Sequence, residues 1–161
     1  MEDPSPIRPT DDEARALARS LIHAARFAAL AVLTPGTGAP AVTRIALGLD
    51  AAGLPLTLIS SLSAHTRALH ADPRAGILVG EPGPKGDPLT HPRLSLDTTA
   101  SFVDRAGPDH AALRTLWLAS HPKARLYIDF ADFCFVRFTP LGAALNGGFG
   151  KAFLLTPQDL R

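Results

Sequence analysis

Residues 54–69 constrain the fold most, because they run from an apolar segment through a row of hydroxyls into a helix. Residues 56–59 are apolar and partly β-branched, which is typical of a buried strand. Ser63 is a suitable helix N-cap, and the helical spacing that follows it ends at Pro73. The sequence therefore predicts a strand, a polar turn and a short helix in direct succession.

The first turn of this predicted helix is basic, although the positive end of a helix usually attracts acidic residues. Hydroxyls, free backbone N–H groups and an arginine at one helix start can together hold a phosphate. The alternative is a capped surface helix whose arginine is only solvated. The candidate ligands are Ser60, Ser61, His65, Thr66 and Arg67.

Arg44 lies in the middle of another predicted strand, residues 40–49. This strand follows the apolar run 27–33 after a turn rich in glycine and proline, so the two segments are predicted to form a hairpin. An arginine in mid-strand needs a partner, a ligand or an edge position. It can also face solvent on a half-exposed sheet, and the residues alone leave both interpretations open.

The rest of the chain predicts short strands and few helices. Thr10 and Glu13 have the form of a capping box that starts a helix ending near Arg26. A further helix is predicted to begin at Pro108 or Asp109 and to end before Pro122. The other predicted strands are residues 75–79, 94–104, 132–138, 141–145 and 153–155.

These segments together predict a mainly β fold. The 161 residues include 13 glycines and 15 prolines, which implies many turns between short elements. We expect a barrel of six or seven antiparallel strands with helices at its rims. Residues 1–10 are predicted to form a flexible N-terminal arm and residues 11–161 a single domain.

Charge and cysteine content narrow the classes of function. A formal net charge of +1 predicts no strong attraction to nucleic acid or to an anionic membrane. Cys134 is the one cysteine and lies in an apolar strand pattern, so we expect an inert core thiol in a reducing compartment. The N-terminus is acidic and rich in proline, unlike a secretory signal, so a cytoplasmic protein is expected. The six histidines lack metal-ligand spacing, so no metal site is predicted.

A second candidate site is the glycine-rich run 146–151. Glycines allow close backbone approach to a ligand, and Asn146 and Lys151 could contact its polar groups. The alternative is a glycine-rich hairpin turn. No catalytic acid, base or nucleophile stands out anywhere in the chain, so an enzyme of this sequence would depend on a bound cofactor.

The ordered motifs resemble the FMN-binding split-barrel family related to pyridoxamine 5′-phosphate oxidase, near its haem-utilisation branch. The resemblance covers most of residues 10–155. It is carried by Val-Thr-Arg-Ile-Ala at 42–46, Ser-Ser-Leu-Ser-Ala-His-Thr-Arg-Ala-Leu at 60–69, Asp-Pro-Arg-Ala at 72–75, His-Pro-Lys-Ala at 121–124 with Tyr127 and Asp-Phe-Ala-Asp-Phe at 129–133, and Asn-Gly-Gly-Phe-Gly-Lys-Ala at 146–152.

The resemblance implies a homodimer that binds FMN at the subunit interface and acts as an FMN-dependent oxidoreductase. Its FMN phosphate and ribityl chain would be held by Arg44, Ser60, Ser61, Thr66 and Arg67, and the partner subunit would approach near Trp117 or residues 146–151. Two alternatives stay open, a haem-binding or haem-degrading protein of the same fold and a non-catalytic binding module. Haem-handling members use a histidine near the C-terminus. No histidine follows His121 here, so His65 or His121 would have to replace it.

Overall fold

The computed structural model describes residues 6–161. Within them the chain forms nine strands and three α-helices. The helices are α1 (Asp12–Ala24), α2 (Ala64–Ala71) and α3 (His110–Ser120). The strands are β1 (Ile7–Arg8), β2 (Phe27–Leu33), β3 (Pro40–Ala46), β4 (Gly48–Leu49), β5 (Pro55–Ser60), β6 (Arg74–Val79), β7 (Arg93–Phe102), β8 (Phe133–Asn146) and β9 (Ala152–Leu155).

The strands form one sheet in the order β1-β9-β8-β7-β6-β2-β3, and β5 pairs with both β4 and β8. All of these pairs are antiparallel except β1 with β9. The predicted mainly β barrel with helices at its periphery is therefore confirmed, although the described residues form nine strands instead of six or seven. Of the predicted N-terminal arm, residues 1–5 lie outside the described residues, and Ile7–Arg8 pairs with β9.

The barrel is split between β3 and β5. In the described part of the chain β3 pairs only with β2, whereas β5 pairs with β8 along its length. The link between the two edges is β4, which follows β3 after one residue and pairs with the start of β5 through two residue pairs. Most of the outer edge of β3 is thus left without a strand partner.

The core lies inside the barrel and follows from strand alternation. In β7 every second side chain, at Leu94, Leu96, Thr98 and Ala100, is buried. The helix α1 covers one end of the barrel with an apolar stripe formed by Ala14, Ala18 and Ile22. A second cluster surrounds Trp117 of α3.

Three local predictions were wrong. The N-cap of α1 is Asp11, whose carboxylate accepts the N–H of Ala14 at 2.8 Å, whereas the Thr10 hydroxyl donates to the carbonyl of Leu154 in β9. The predicted strand 40–49 is interrupted at Leu47, and its last two residues form β4, which pairs with β5 instead of β2. The two strands predicted around Pro140 are one strand, β8, because the pairing with β7 shifts there by a β-bulge that accommodates the missing proline N–H.

Candidate functional site

The predicted phosphate cluster lies at the start of α2, but its hydroxyls are mostly engaged by the protein. The Ser60 hydroxyl donates to a carboxylate oxygen of Asp132 at 2.5 Å. The Thr66 side chain is fully buried, and its hydroxyl donates to the carbonyl of Ser60 at 2.6 Å. Ser63 occupies the N-cap position without a capping side-chain bond. Two of the predicted ligands therefore hold the turn between β5 and α2 together.

Two other members of the cluster face outwards. Ser61 is exposed, and its backbone N–H donates to the carbonyl of Asp132 at 2.7 Å. Arg67 is also exposed, and its guanidinium donates to the carbonyl of Leu62 at 2.9 Å. An arginine has five N–H donors, so this bond leaves donors of Arg67 directed to the surface beside the helix start.

His65 connects α2 to β3 across the split. Its Nδ1 lies 3.2 Å from the hydroxyl oxygen of Thr43, on the inner face of β3. Its Nε2 is buried and has no hydrogen-bond partner among the described residues. Burial lowers the pKa of the His65 imidazole, which favours the neutral ring.

Arg44 points to the opposite side of β3 from Thr43, because successive side chains of a strand alternate between the two faces. Its guanidinium carbon lies 5.6 Å from the centroid of the Phe27 ring on β2, within cation–π range. The side chain of Arg44 is exposed. Arg44 therefore belongs to the outer face of the sheet, whereas α2 contacts β3 through Thr43 on the inner face.

At the split, the backbone of β3 has hydrogen-bonding groups that no other described residue pairs with. Leu47 N–H donates to the carbonyl of Arg26 at 3.0 Å, and alternation from this pair directs the N–H and C=O of Val42 and Arg44 away from β2. The next group on that edge, the Ala46 carbonyl, is taken by the Thr57 hydroxyl at 2.6 Å. A ligand at this edge could therefore bond the backbone of Val42 and Arg44.

Arg44 lines a groove with a volume of about 770 Å³ on the outer face of the barrel. This is within the usual range of small-molecule sites. One wall is the segment 80–93 that joins β6 to β7, which we call the groove loop. The floor is apolar and the rim carries charge. The lining side chains that matter most are Phe27, Val42, Arg44, Leu78, Leu89 and Arg93.

Sequence reasoning missed all of the groove residues except Arg44. The register that brings them together pairs Arg44 with Ala29, and Ala29 with Leu78. Phe27 stands two residues from Ala29 on the same face of β2. Apolar residues at the outward-facing positions of these strands could have indicated a groove. Only the order of the strands in the sheet shows that these residues are neighbours.

The run 146–151 is a tight hairpin turn. Asn146 accepts the N–H of Gly148 through its side-chain oxygen at 3.0 Å, and Gly147 N–H donates to the carbonyl of Lys151 at 2.7 Å. Gly148 has φ +119°, and a Cβ there would lie 3.2 Å from the carbonyl oxygen of Thr90 in the groove loop. Asn146 thus stabilises the turn, while Lys151 is exposed.

The contacts of His121 and the burial of Cys134 indicate structural roles for both residues. The two imidazole nitrogens of His121 lie 2.8 Å from the Ser120 hydroxyl and 3.0 Å from the Arg26 carbonyl, and its ring stacks on Trp117. Burial raises the pKa of the half-buried Cys134 thiol.

Within residues 6–161, no three His, Cys, Asp or Glu side chains are grouped as metal ligands, and no helix is long and apolar enough to cross a membrane.

No protein-family model matches the chain. The chain is 34% identical over 117 residues to the chloroplastic non-canonical heme oxygenase HOZ of Arabidopsis thaliana; the match covers 73% of this chain and only 35% of that protein. A solved heme binding protein from Mycobacterium smegmatis is 30% identical, with a TM-score of 0.83 over 96% of this chain and 61% of that one. A pyridoxinephosphate oxidase family protein from Clostridium acetobutylicum, 14% identical, shares the fold with a TM-score of 0.70 over 94% of this chain and all of that one.

Proposed function

This chain belongs to the split-barrel family related to pyridoxamine 5′-phosphate oxidase, near its haem-utilisation branch, and on that premise we propose that it binds haem in the outer groove. The observation that carries the proposal is an apolar groove floor beside Arg44, whose guanidinium lies over the Phe27 ring and has no hydrogen-bond or ion-pair partner among the described residues. Haem is a flat apolar ring with two carboxylates, so it needs this combination. Support comes from the two relatives of 30% identity or more described above, whose names refer to heme.

The groove residues suit the ring and its carboxylates. Arg44 would pair with a carboxylate, Phe27 would pack on the ring, and Val42, Leu78 and Leu89 would exclude water. The described lining contains no histidine, cysteine, methionine or tyrosine to bind the iron, so these residues position the ring rather than the metal. Bound haem would supply redox chemistry at its iron.

A haem titration followed by the Soret absorbance tests this proposal. We expect Arg44→Ala to weaken binding about tenfold or more, because a charged hydrogen bond contributes roughly 1.5–3 kcal/mol. Arg125→Ala is the matched control, since Arg125 is an exposed arginine in the 3₁₀ turn Pro122–Leu126 and does not line the groove. Equal affinities of the two variants, or no Soret change in the unmodified protein, would reject haem binding in this groove.

FMN is the second candidate, and the free backbone edge of β3 favours it. The N–H and C=O groups of Val42 and Arg44 could bond the polar edge of a flavin, while Arg67 and Ser61 offer donors for its phosphate. Bound flavin would supply the hydride chemistry of an oxidoreductase. An FMN titration separates the two candidates, because Arg67→Ala should weaken FMN binding and leave haem binding unchanged.

A non-catalytic module of the same fold is the remaining alternative. Ligand at 100 times Kd stabilises a protein by roughly 2.7 kcal/mol, which a thermal-shift measurement detects readily. A protein whose melting temperature responds to neither haem nor FMN would support this alternative and contradict both cofactor proposals.

A further inference from the structure

The groove loop is organised around one imidazole. Its two ends line the groove, through Gly80, Glu81 and Pro82 at the start and Pro88, Leu89 and Arg93 at the end. The middle of the loop wraps around the half-buried side chain of His91. A Cβ on Gly83 would lie 3.2 Å from Cε1 of His91, so the loop backbone packs directly on the ring.

Both nitrogens of His91 are bonded to the loop backbone. Nδ1 lies 3.2 Å from the N–H of Gly83, and Nε2 lies 2.8 Å from the carbonyl oxygen of Lys85. A backbone N–H can only donate and a carbonyl can only accept, so Nδ1 must be bare and Nε2 must carry the proton. Only the neutral Nε2–H tautomer of His91 satisfies both bonds.

Protonation of His91 removes one of these bonds. A second proton would sit on Nδ1 and face the N–H of Gly83, so two donors would oppose each other. Among ordinary side chains, imidazole is the one whose charge changes near neutral pH. The charged groups of the loop and of the adjacent turn 146–151 are Glu81, Lys85, Asp87, Arg93 and Lys151.

Two of these charged side chains have hydrogen-bond partners within the loop. Asp87 accepts the N–H of Leu89 at 2.9 Å, and Arg93 donates to the carbonyl of Leu89 at 3.0 Å. Leu89 and Arg93 stand two residues on either side of His91, and both line the groove. Because His91 lies between Leu89 and Arg93 in the chain, a change in its hydrogen bonds would shift both of these groove-lining residues.

We propose that His91 is a positioning residue: its neutral ring holds the groove loop in place, and ligand uptake by the groove weakens as the pH falls from about 8 to 5. The part that concerns ligand uptake rests on the proposed function. The part that concerns the loop does not, because the two hydrogen bonds exist without a ligand.

Amide hydrogen exchange of the full chain without ligand tests the loop. After correction for intrinsic rates, peptides covering residues 81–93 should lose about fivefold or more protection between pH 8 and 5, the expected effect of one lost hydrogen bond. His91→Asn should abolish this pH dependence, since its amide oxygen can still accept from Gly83 but does not titrate. His91→Phe should lower protection at every pH. His23→Asn, at an exposed histidine on α1, should behave like the unmodified protein.

Haem titrations at the same pH values test uptake. Affinity should fall about fivefold or more from pH 8 to 5 in the unmodified protein and in His23→Asn, and should stay level in His91→Asn. A loop whose protection does not change with pH overturns the proposal. So does a haem affinity whose pH dependence persists in His91→Asn. Absence of haem binding at any pH rejects the proposed function instead, and the exchange data then decide the role of His91 in the loop.

Discussion

Asp50 is a carboxylate that is only 8% exposed, so its partners decide what it contributes to stability. One oxygen accepts the N–H groups of Ala52 and Leu54, both at 2.9 Å. The other accepts from the Arg137 guanidinium at 2.8 Å. A single buried side chain therefore closes the turn between β4 and β5 and attaches it to β8.

Asp50→Ala should lower the free energy of unfolding by about 2–3 kcal/mol, because it removes the charged acceptor of the Ala52 and Leu54 N–H groups and of the Arg137 guanidinium. Urea unfolding followed by circular dichroism measures this. Asp12→Ala is the control, since Asp12 also pairs with an arginine but is fully exposed, and it should change the urea midpoint very little. Equal midpoints for the two variants would contradict the role given to Asp50.

At the scale of elements, the base of the groove loop is closed by Gly80. Its φ is +101°, and a Cβ there would lie 2.5 Å from the carbonyl oxygen of Pro92. Gly53, in the turn before β5, also has a positive φ of +83°, but its Cβ would meet nothing within 4 Å. Alanine substitutions at Gly53 and Gly80 therefore separate the energetic cost of a positive φ from the cost of a steric clash of the added Cβ.

Gly53→Ala should destabilise by about 1–2 kcal/mol, the cost of a left-handed residue with a side chain. Gly80→Ala should cost clearly more, because backbone atoms on both sides of the loop must also move apart. Thermal and urea unfolding of both variants test this. If Gly80→Ala is no more destabilising than Gly53→Ala, the loop base is not closely packed.

Asp159 links the C-terminal 3₁₀ turn Pro157–Leu160 to α1 through hydrogen bonds. Its carboxylate accepts from Arg15 at 2.6 Å and from the backbone and hydroxyl of Thr156. These bonds, with that to Arg15 the strongest, lower the pKa of Asp159 from 3.8 to about 2. A carboxyl group whose pKa is lowered in the folded state stabilises the fold at pH values above its ordinary pKa. This stabilisation is lost as the pH falls towards the lowered pKa.

Stability should therefore decline between about pH 4 and 2, in part through Asp159. Asp159→Asn should reduce this decline and should lower stability at pH 7. Urea midpoints at a series of pH values provide the measurement, with Asp12→Asn as a control at an exposed carboxylate. An unchanged slope in Asp159→Asn would show that the salt bridge does not contribute to acid stability.

At the scale of the whole molecule, the outer face of the sheet exposes several apolar side chains, among them Leu78 and Leu154. The register places one row of partners side by side from β3 to β9: Arg44, Ala29, Leu78, Ser95, Ala144 and Leu154. Leu141, at the bulge of β8, is 60% exposed. Large exposed apolar surfaces usually mark interfaces.

We propose that a second copy of the chain covers the part of this face beyond the groove, around Leu141 and Leu154, which agrees with the homodimer implied by the family resemblance. Sedimentation velocity should then give a dimer, and Leu141→Glu should shift it towards monomer by burying an unpaired charge. Leu126→Glu, at a residue 79% exposed in the turn before β8, should remain dimeric. A monomeric unmodified protein at micromolar concentrations would reject the proposal.

Local sequence patterns determine much of this fold. The apolar run 27–33 predicted β2, the strand predicted at residues 94–104 became β7, and the strand, turn and helix of residues 54–69 became β5 and α2. These features depend on neighbours within a few residues, so the sequence alone is sufficient for them.

The tertiary structure decided how those elements meet. Residues 54–69 still form the turn at the split, but the hydroxyls of Ser60 and Thr66 bond Asp132 and the backbone, which the sequence could not show because Asp132 is distant in the chain. Arg44 faces Phe27 and the groove because pairing with β2 directs it outwards. By itself the sequence determined most of the elements. Strand order and register, which depend on distant pairing, decided which of the candidate side chains share a site.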